Sequence, residues 1–211
     1  YMNEVVRSIA ISLYFDKDVI PLLAASEPNQ VDLLSRRQKI DKFSDYTPFL
    51  DSIIVYNGQM DQFIWGGNAE LQDPEDARYR SIRELLEGEK PFPKMKLFSL
   101  TPDVFSIANY DAAVYGKGAS ALFVNLDTQW LFDNIRVINE LAGQANESVV
   151  ILDEMGNLIT PRSDAGIPGS EWMDIIASLP ADPEASGYLE YGADSGKKIV
   201  SYMSIKENGW K

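Results

Sequence analysis

The chain has no cysteine and no histidine. The first absence excludes disulfides, thiolate nucleophiles and thiolate metal sites. The second removes the commonest general base and the commonest neutral metal ligand, and with them any Ser-His-Asp arrangement. Only carboxylate sites for hard cations remain open. Basic residues are also scarce: 19 Lys and Arg stand against 32 Asp and Glu, a net charge of −13. Such a surface repels phosphate backbones and anionic lipid headgroups, so this chain is not expected to contact nucleic acid. No apolar run reaches the roughly 20 residues that a membrane span requires. A basic, apolar leader with a cleavage pattern is missing as well.

What is present is ordinary globular material. Of 211 residues, 45% are hydrophobic and 11% aromatic. That length holds one medium domain or two small ones with a real core, and the aromatic content argues against disorder. The chain starts at Tyr1 inside a helical pattern and stops at Trp210-Lys211 inside a strand-like one. Both ends read as cut, so a fragment of a longer protein is expected.

The order of elements turns on residues 120–135. Residues 120–126 form an apolar, strand-like run. Asp127 or Thr128 can then cap a helix over 128–142 with Leu131, Ile135 and Ile138 on its apolar side. Before this seam, residues 3–15 repeat apolar side chains at helical spacing. Asp18 can cap a short helix that tolerates Pro21 in its first turn. Residues 30–45 read as a polar helix with Leu33, Leu34, Ile40 and Phe43 inward.

From Pro48 the pattern turns to strands. These are expected at 50–57 and 62–66, joined by the Asn57-Gly58 turn signal. A helix follows at 77–87, with Tyr79, Ile82, Leu85 and Leu86 on one face and Gly88 at its end. Strands at 96–100, 104–113 and 119–126 complete a meander, with a glycine-bearing turn at 115–118. Such an order suits an antiparallel sheet with helices on one side better than an alternating parallel fold. After the seam come a hairpin (149–153 and 158–160), a helix (170–179, capped by Ser170) and a second hairpin (187–191 and 198–205, with its turn at 194–197). Hairpin, helix, hairpin is a rough echo of the first half.

Several phrases resemble the double Cache extracellular sensor domains of bacteria. Residues 50–58 (LDSIIVYNG) resemble that family's first sheet strand. Residues 96–111 (KLFSLTPDVFSIANYD) and 115–127 (YGKGASALFVNLD) resemble its meander. Residues 147–160 (ESVVILDEMGNLIT) resemble the opening of its second unit, and 197–211 its ending. The resemblance covers nearly the whole chain. It implies an α+β fold with a long N-terminal helix followed by two PAS-like antiparallel-sheet modules. Residues 1–47 would be a helical stalk and 48–127 the membrane-distal module. Residues 128–146 would be a connecting helix and 147–211 a membrane-proximal module lacking its last edge strand.

The resemblance further implies a transmembrane receptor, working as a homodimer, with this part outside the cell. The output would be an AraC-type transcriptional regulator or a histidine kinase of a Gram-positive bacterium. The ligand would be a small molecule, sugar-related or amino-acid-like. Amino-acid-sensing members carry an arginine and aromatic pair on the helix after the second strand, then a tyrosine and an aspartate. Here Arg78-Tyr79 and Tyr110-Asp111 occupy those places, without the tryptophan that follows the first pair.

A PAS-like pocket would lie between the sheet and its covering helix. The expected ligand-binding residues are Tyr56, Trp65, Tyr79, Phe98, Asn109, Tyr110 and Asp111, aromatic walls with one or two polar anchors. The competing reading makes the aromatics ordinary core and Asp111 a solvated strand end. Asp73, Glu75 and Asp76 crowd one loop without calcium-loop spacing and read as solvated acids. No catalytic residue, metal site or cofactor is expected. Two other roles were weighed. A free-standing solute-binding protein would need two parallel-sheet lobes and native ends. A carboxylate-dependent hydrolase would need paired acids across a cleft.

Overall fold

Five strands form one antiparallel sheet: β1 (Leu50–Asn57), β2 (Gln62–Gly67), β3 (Leu97–Thr101), β4 (Val104–Tyr110) and β5 (Ala121–Asp127). Their order is β2-β1-β5-β4-β3, and every neighbouring pair runs antiparallel. With its helices this makes an α+β arrangement. The computed structural model describes residues 2–24, 30–88, 91–101, 104–111, 116, 118–141, 151–152, 158–159, 169–180, 186–193 and 196–203. Two compact units divide the chain, Tyr1–Asn134 and Ile135–Lys211.

Strand parity assigns the two faces. Ile54 stands opposite Trp65 and Phe123, and Tyr56 opposite Phe63 and Ala121, so these side chains share one face. Ile53, Val55, Ile107, Leu122 and Val124 point the other way, and all are fully buried. Helices were expected on one side only, and this is corrected by the structure: both faces are covered. Helices α1 (Met2–Tyr14), α2 (Ile20–Ala24) and α3 (Gln30–Asp45) lie against β4 and β5, β1, and β1 and β2 respectively. Asn57, on the Ile53 face, donates its Nδ2 hydrogen to the Leu22 carbonyl of α2 (3.0 Å). Helix α4 (Ala77–Glu87) covers the Ile54 face, where Tyr79, Ile82 and Leu86 join Ile54, Tyr56 and Phe123 in one cluster. The reason is visible in β1, β4 and β5, whose apolar residues occupy both parities, as strands buried on two sides require.

Two local expectations also change. Leu34 and Phe43 of α3 are exposed, at 59% and 36%, while Ile40 alone of the four is buried. The turn into α2 is closed by Asp16, whose carboxylate accepts the Asp18 amide (2.7 Å). Asp18 instead pairs with Arg36 and Lys39 of α3, and those cations hold its carboxyl below the usual range. The long N-terminal helix implied by the resemblance is not among the described residues; α1 spans 13.

The β1–β2 turn uses Asn57 and Gly58 as the sequence suggested, but runs four residues, with Asp61 at φ 48°. The Asn57 Oδ1 accepts the amides of Gln59 and Met60 (3.1 and 3.3 Å). Glycine is needed at 58 because a Cβ there would lie 2.2 Å from the Ala119 carbonyl oxygen.

Helix α5 (Thr128–Leu141) is capped by Asp127, whose Oδ1 accepts from the Gln129 and Trp130 amides (2.8 and 3.3 Å). Of the two candidate caps the structure takes the first, and Thr128 is buried. Leu131 is partly buried; the side chains of Ile135 and Ile138 lie outside the described residues. In the second unit β6 (Ile151–Leu152) pairs with β7 (Leu158–Ile159). Helix α6 (Gly169–Ala177) follows, starting before Ser170, and β8 (Gly187–Ala193) pairs with β9 (Gly196–Tyr202). Gly196 and Lys197, expected in the turn, belong to the strand, since Ala193 stands opposite Gly196. The strand-like end at Trp210-Lys211, and with it the expected lack of a last edge strand, lies outside the described residues.

Candidate functional site

Helix α4 starts where Asp76 caps it and carries its apolar residues one helical turn apart, at 79, 82 and 86. It thereby lays Tyr79 over the β1–β2 hairpin. The Tyr79 ring stacks on Phe63 at 4.4 Å, and Phe63 meets Tyr56 at 4.6 Å. Beside them Trp65 is half-buried, with the Arg37 guanidinium 3.7 Å from its ring centroid. A second aromatic group covers β3, β4 and β5. Phe92, from the segment before β3, approaches Tyr110 (5.0 Å), Phe98 (5.6 Å) and Phe123 (6.1 Å).

The tyrosine hydroxyls on this face are all used. Tyr79 donates to the Leu71 carbonyl (2.6 Å), Tyr110 to the Phe92 carbonyl (2.5 Å) and Tyr56 to Asp61 (3.1 Å). Burial raises the Tyr56 hydroxyl to about 12, helped by its bond to the Asp61 carboxylate. Burial also pushes Tyr79 well above its ordinary value. Both phenols therefore act as neutral donors.

Of the seven residues expected to bind a ligand, five share this face: Tyr56, Trp65, Tyr79, Phe98 and Tyr110. Asn109 does not join them. It stands opposite Leu122, on the face that the N-terminal helices cover. Asp111 is exposed beyond the end of β4, close enough to Tyr14 of α1 for its charge to help raise that phenol, after the larger effect of burial. Tyr56, Tyr79, Phe98 and Tyr110 touch other rings, and Trp65 packs against the same cluster under Arg37, so in this conformation the five serve as core. A groove of about 580 Å³ lies elsewhere, lined by Glu4, Arg7, Ser8, Ile11, Ser12 and Met95. None of the seven lines it.

The feature that sequence reading missed sits at the N-terminal end of α4. Arg78 is 3% exposed, and its guanidinium is gripped from two sides. Its Nε and Nη2 donate to the two oxygens of Asp76 (2.8 and 2.7 Å), a bidentate pair. Its Nη1 donates to Asp51 Oδ2 (2.9 Å). Asp51 also accepts from the Asn68 amide nitrogen Nδ2 (2.7 Å) and the Ser52 hydroxyl (2.7 Å). From Ser52 a row of fully buried polar side chains crosses the sheet. Asn125 Nδ2 donates to Ser52 Oγ (2.9 Å), and Ser106 Oγ donates to Asn125 Oδ1 (2.5 Å).

A β-bulge makes this possible. Leu50 pairs with Leu126 and Ser52 with Asn125, so Asp51 is the extra residue on β1. A bulge re-aims its side chain. Asp51 and Ser52 can then both meet the network, though strict alternation would send them to opposite faces. Gly67 lies alongside at φ 98°, and a Cβ there would sit 2.7 Å from the Asp51 carbonyl oxygen. The parity of Phe63 with Trp65 could have revealed Phe63. Nothing local revealed Phe92 or Asp51, which depend on packing and on the bulge.

Among the described residues no group of three or more acidic side chains could hold a metal ion, and no helix is long and apolar enough to cross a membrane. No protein-family model and no curated protein matches the sequence. Among solved structures, the chain is similar to the extracellular domain of a protein assigned as a histidine kinase. The identity is 12%, the alignment covers 98% of this chain and 87% of that one, and the TM-score is 0.46. It is also similar to a domain of a protein assigned to the sensory box/GGDEF family from Vibrio parahaemolyticus. There the identity is 12%, the coverage 98% and 90%, and the TM-score 0.43.

Proposed function

We propose that this chain is the extracellular ligand-sensing part of a bacterial transmembrane receptor, binding without turnover. The single observation that carries the reading is the buried Arg78–Asp51–Asp76 cluster at one end of an aromatic face, beneath one covering helix. A buried ion pair adds little stability over a well-packed apolar replacement, so its retention under α4 suggests a role beyond stability. The sequence resemblance to double Cache domains supports the same reading. It supplies the finer parts: two PAS-like modules, a homodimer in the membrane, and an AraC-type or histidine kinase output.

The ligand is proposed to enter between α4 and the sheet, displacing ring–ring contacts. Aromatic faces with phenol oxygens that can still accept a hydrogen bond suit a sugar-related, hydroxylated molecule. An amino acid is less well served, because the guanidinium its carboxylate would need already donates from three nitrogens to Asp76 and Asp51.

A thermal-shift screen against sugars, oligosaccharides, organic acids and amino acids tests this. A ligand at a hundred times its Kd stabilises by about 2.7 kcal/mol. A sugar-class hit that Tyr79→Ala abolishes is the expected result. Silence across the screen would overturn small-molecule sensing, and consumption of a hit compound would overturn binding without turnover.

A further inference from the structure

We infer that Arg78 and the bulged Asp51 form a latch through which the position of α4 sets the first turn of α5. The inference rests on reading α4 as the cover that a ligand moves. It adds the route by which that movement leaves the site.

Two connections run from Asp51 to the start of α5. The first is along the backbone. Two residues before Asp51, the Phe49 carbonyl accepts the amide of Asp127 (3.0 Å), the residue that caps α5. The Phe49 ring lies 5.6 Å from the ring of Trp130, in the first turn of that helix. The second connection is through side chains. Ser52 is bonded to Asp51 and receives Asn125, which precedes the Asp127 cap by two residues on β5. Arg78 therefore grips the one residue of β1 from which both links start.

The chemistry suits a switch rather than a cushion. Apolar contacts are non-directional, whereas hydrogen bonds to a planar guanidinium weaken steeply once misaligned. The side chains of Arg78 and Asp51 are 4% and 7% exposed, so water cannot replace a broken bond cheaply. Asp76 belongs to α4 as its cap and Asp51 to the sheet, so Arg78 bonds both bodies at once. A displacement of α4 must either drag Asp51 with it or break the Asp51 bond. The far end of α4 is held differently, by Leu86 in the apolar cluster. Contiguous hydrogen-bonded networks of this kind are the physical carriers of coupling between distant elements.

Hydrogen–deuterium exchange on the ligand-free protein tests the latch. Arg78→Lys keeps the charge and removes the fork. Leu86→Ala loosens α4 from its other end and serves as the control. Conditions are set so that both variants lie equally far below their melting temperatures. The latch predicts that amides in residues 128–134 exchange about tenfold faster in Arg78→Lys than in Leu86→Ala. Equal exchange there in the two variants would overturn it. If Arg78→Lys does not fold, Ser52→Ala, which leaves the ion pairs intact, is compared with the same control under the same criterion. Because no ligand is involved, the latch can fail while sensing stands, and sensing can fail in the thermal-shift screen while the latch stands.

Discussion

The two faces of one sheet differ in kind. On the face under α1, α2 and α3, the central strands present Ile53, Val55, Ile107, Leu122 and Val124, fully buried and mostly aliphatic. On the face under α4, the same strands present tyrosine and phenylalanine rings, then a buried row of hydroxyl, amide, carboxylate and guanidinium groups. Strand alternation lets one element build a core with its odd residues and a site with its even ones. The aliphatic face has little to offer a ligand except shape. The other carries directional groups whose bonds can be exchanged for bonds to something else.

The sharpest way to break this comparison is to remove one anchor from each face. Arg78→Met leaves two buried carboxylates with no cation between them, a loss of about 3–5 kcal/mol. Phe105→Ala, on the aliphatic face, empties a fully buried ring position and costs a similar amount, about 3–5 kcal/mol, through the cavity it leaves. Chemical denaturation over pH separates the two causes. Buried carboxylates that lose their neighbouring cation favour the protonated form in the folded state, so the native form binds more protons than the unfolded chain. Arg78→Met should therefore regain stability, relative to wild type, as pH falls from about 7 toward about 4. Phe105→Ala should track wild type throughout. If the two variants respond alike to acid, the α4 face is only another core.

A smaller change sharpens the same contrast. Tyr79→Phe keeps the ring stacked on Phe63 and deletes one buried bond, to the Leu71 carbonyl. Calorimetry should show a loss of about 1 kcal/mol, close to the net worth of one hydrogen bond. A loss near zero would mean that the hydroxyl is no part of what holds α4 down.

How much of this was legible in the sequence follows from where each feature is encoded. The bounds of β1, α3 and α4 were readable because capping residues, a turn signal and periodicity lie within the segments themselves. The β1–β2 hairpin and the β3-β4-β5 meander followed from short connections, whereas the β1–β5 pairing that joins them into one sheet has no such local signal. The second covered face is encoded too, in the apolar residues at both parities of Val104–Tyr110 and Ala121–Asp127, a pattern that one-sided cover does not require. Asn109 was misplaced for a related reason. The sequence reading puts it in one pocket with Phe98 and Tyr110, but neighbours on a strand point to opposite faces. The polar network was not readable at all. In sequence Arg78 resembles a ligand-binding arginine, because nothing local shows that a bulge, 27 positions earlier, turns Asp51 toward it.

The mildest test concerns alkaline pH and uses the face under α4. The Tyr56 phenol is raised from 10.0 to about 12, first by burial and then by its bond to Asp61. Its pKa is higher folded than unfolded, so the native state keeps a proton that the unfolded chain releases. The stability tied to that proton is complete below pH 10 and drains away as pH rises toward 12. Asp61 is largely exposed and shared with Arg83, so solvent screening keeps the effect small. Denaturation curves collected just above pH 10 should therefore fall more steeply for wild type than for Tyr56→Phe, which has no proton to lose. Tyr14 and Tyr79 are raised too, so a residual slope should persist in the variant. Parallel slopes for the two proteins would place Tyr56 in contact with solvent, and the aromatic face would then be open at the β1–β2 hairpin rather than packed shut.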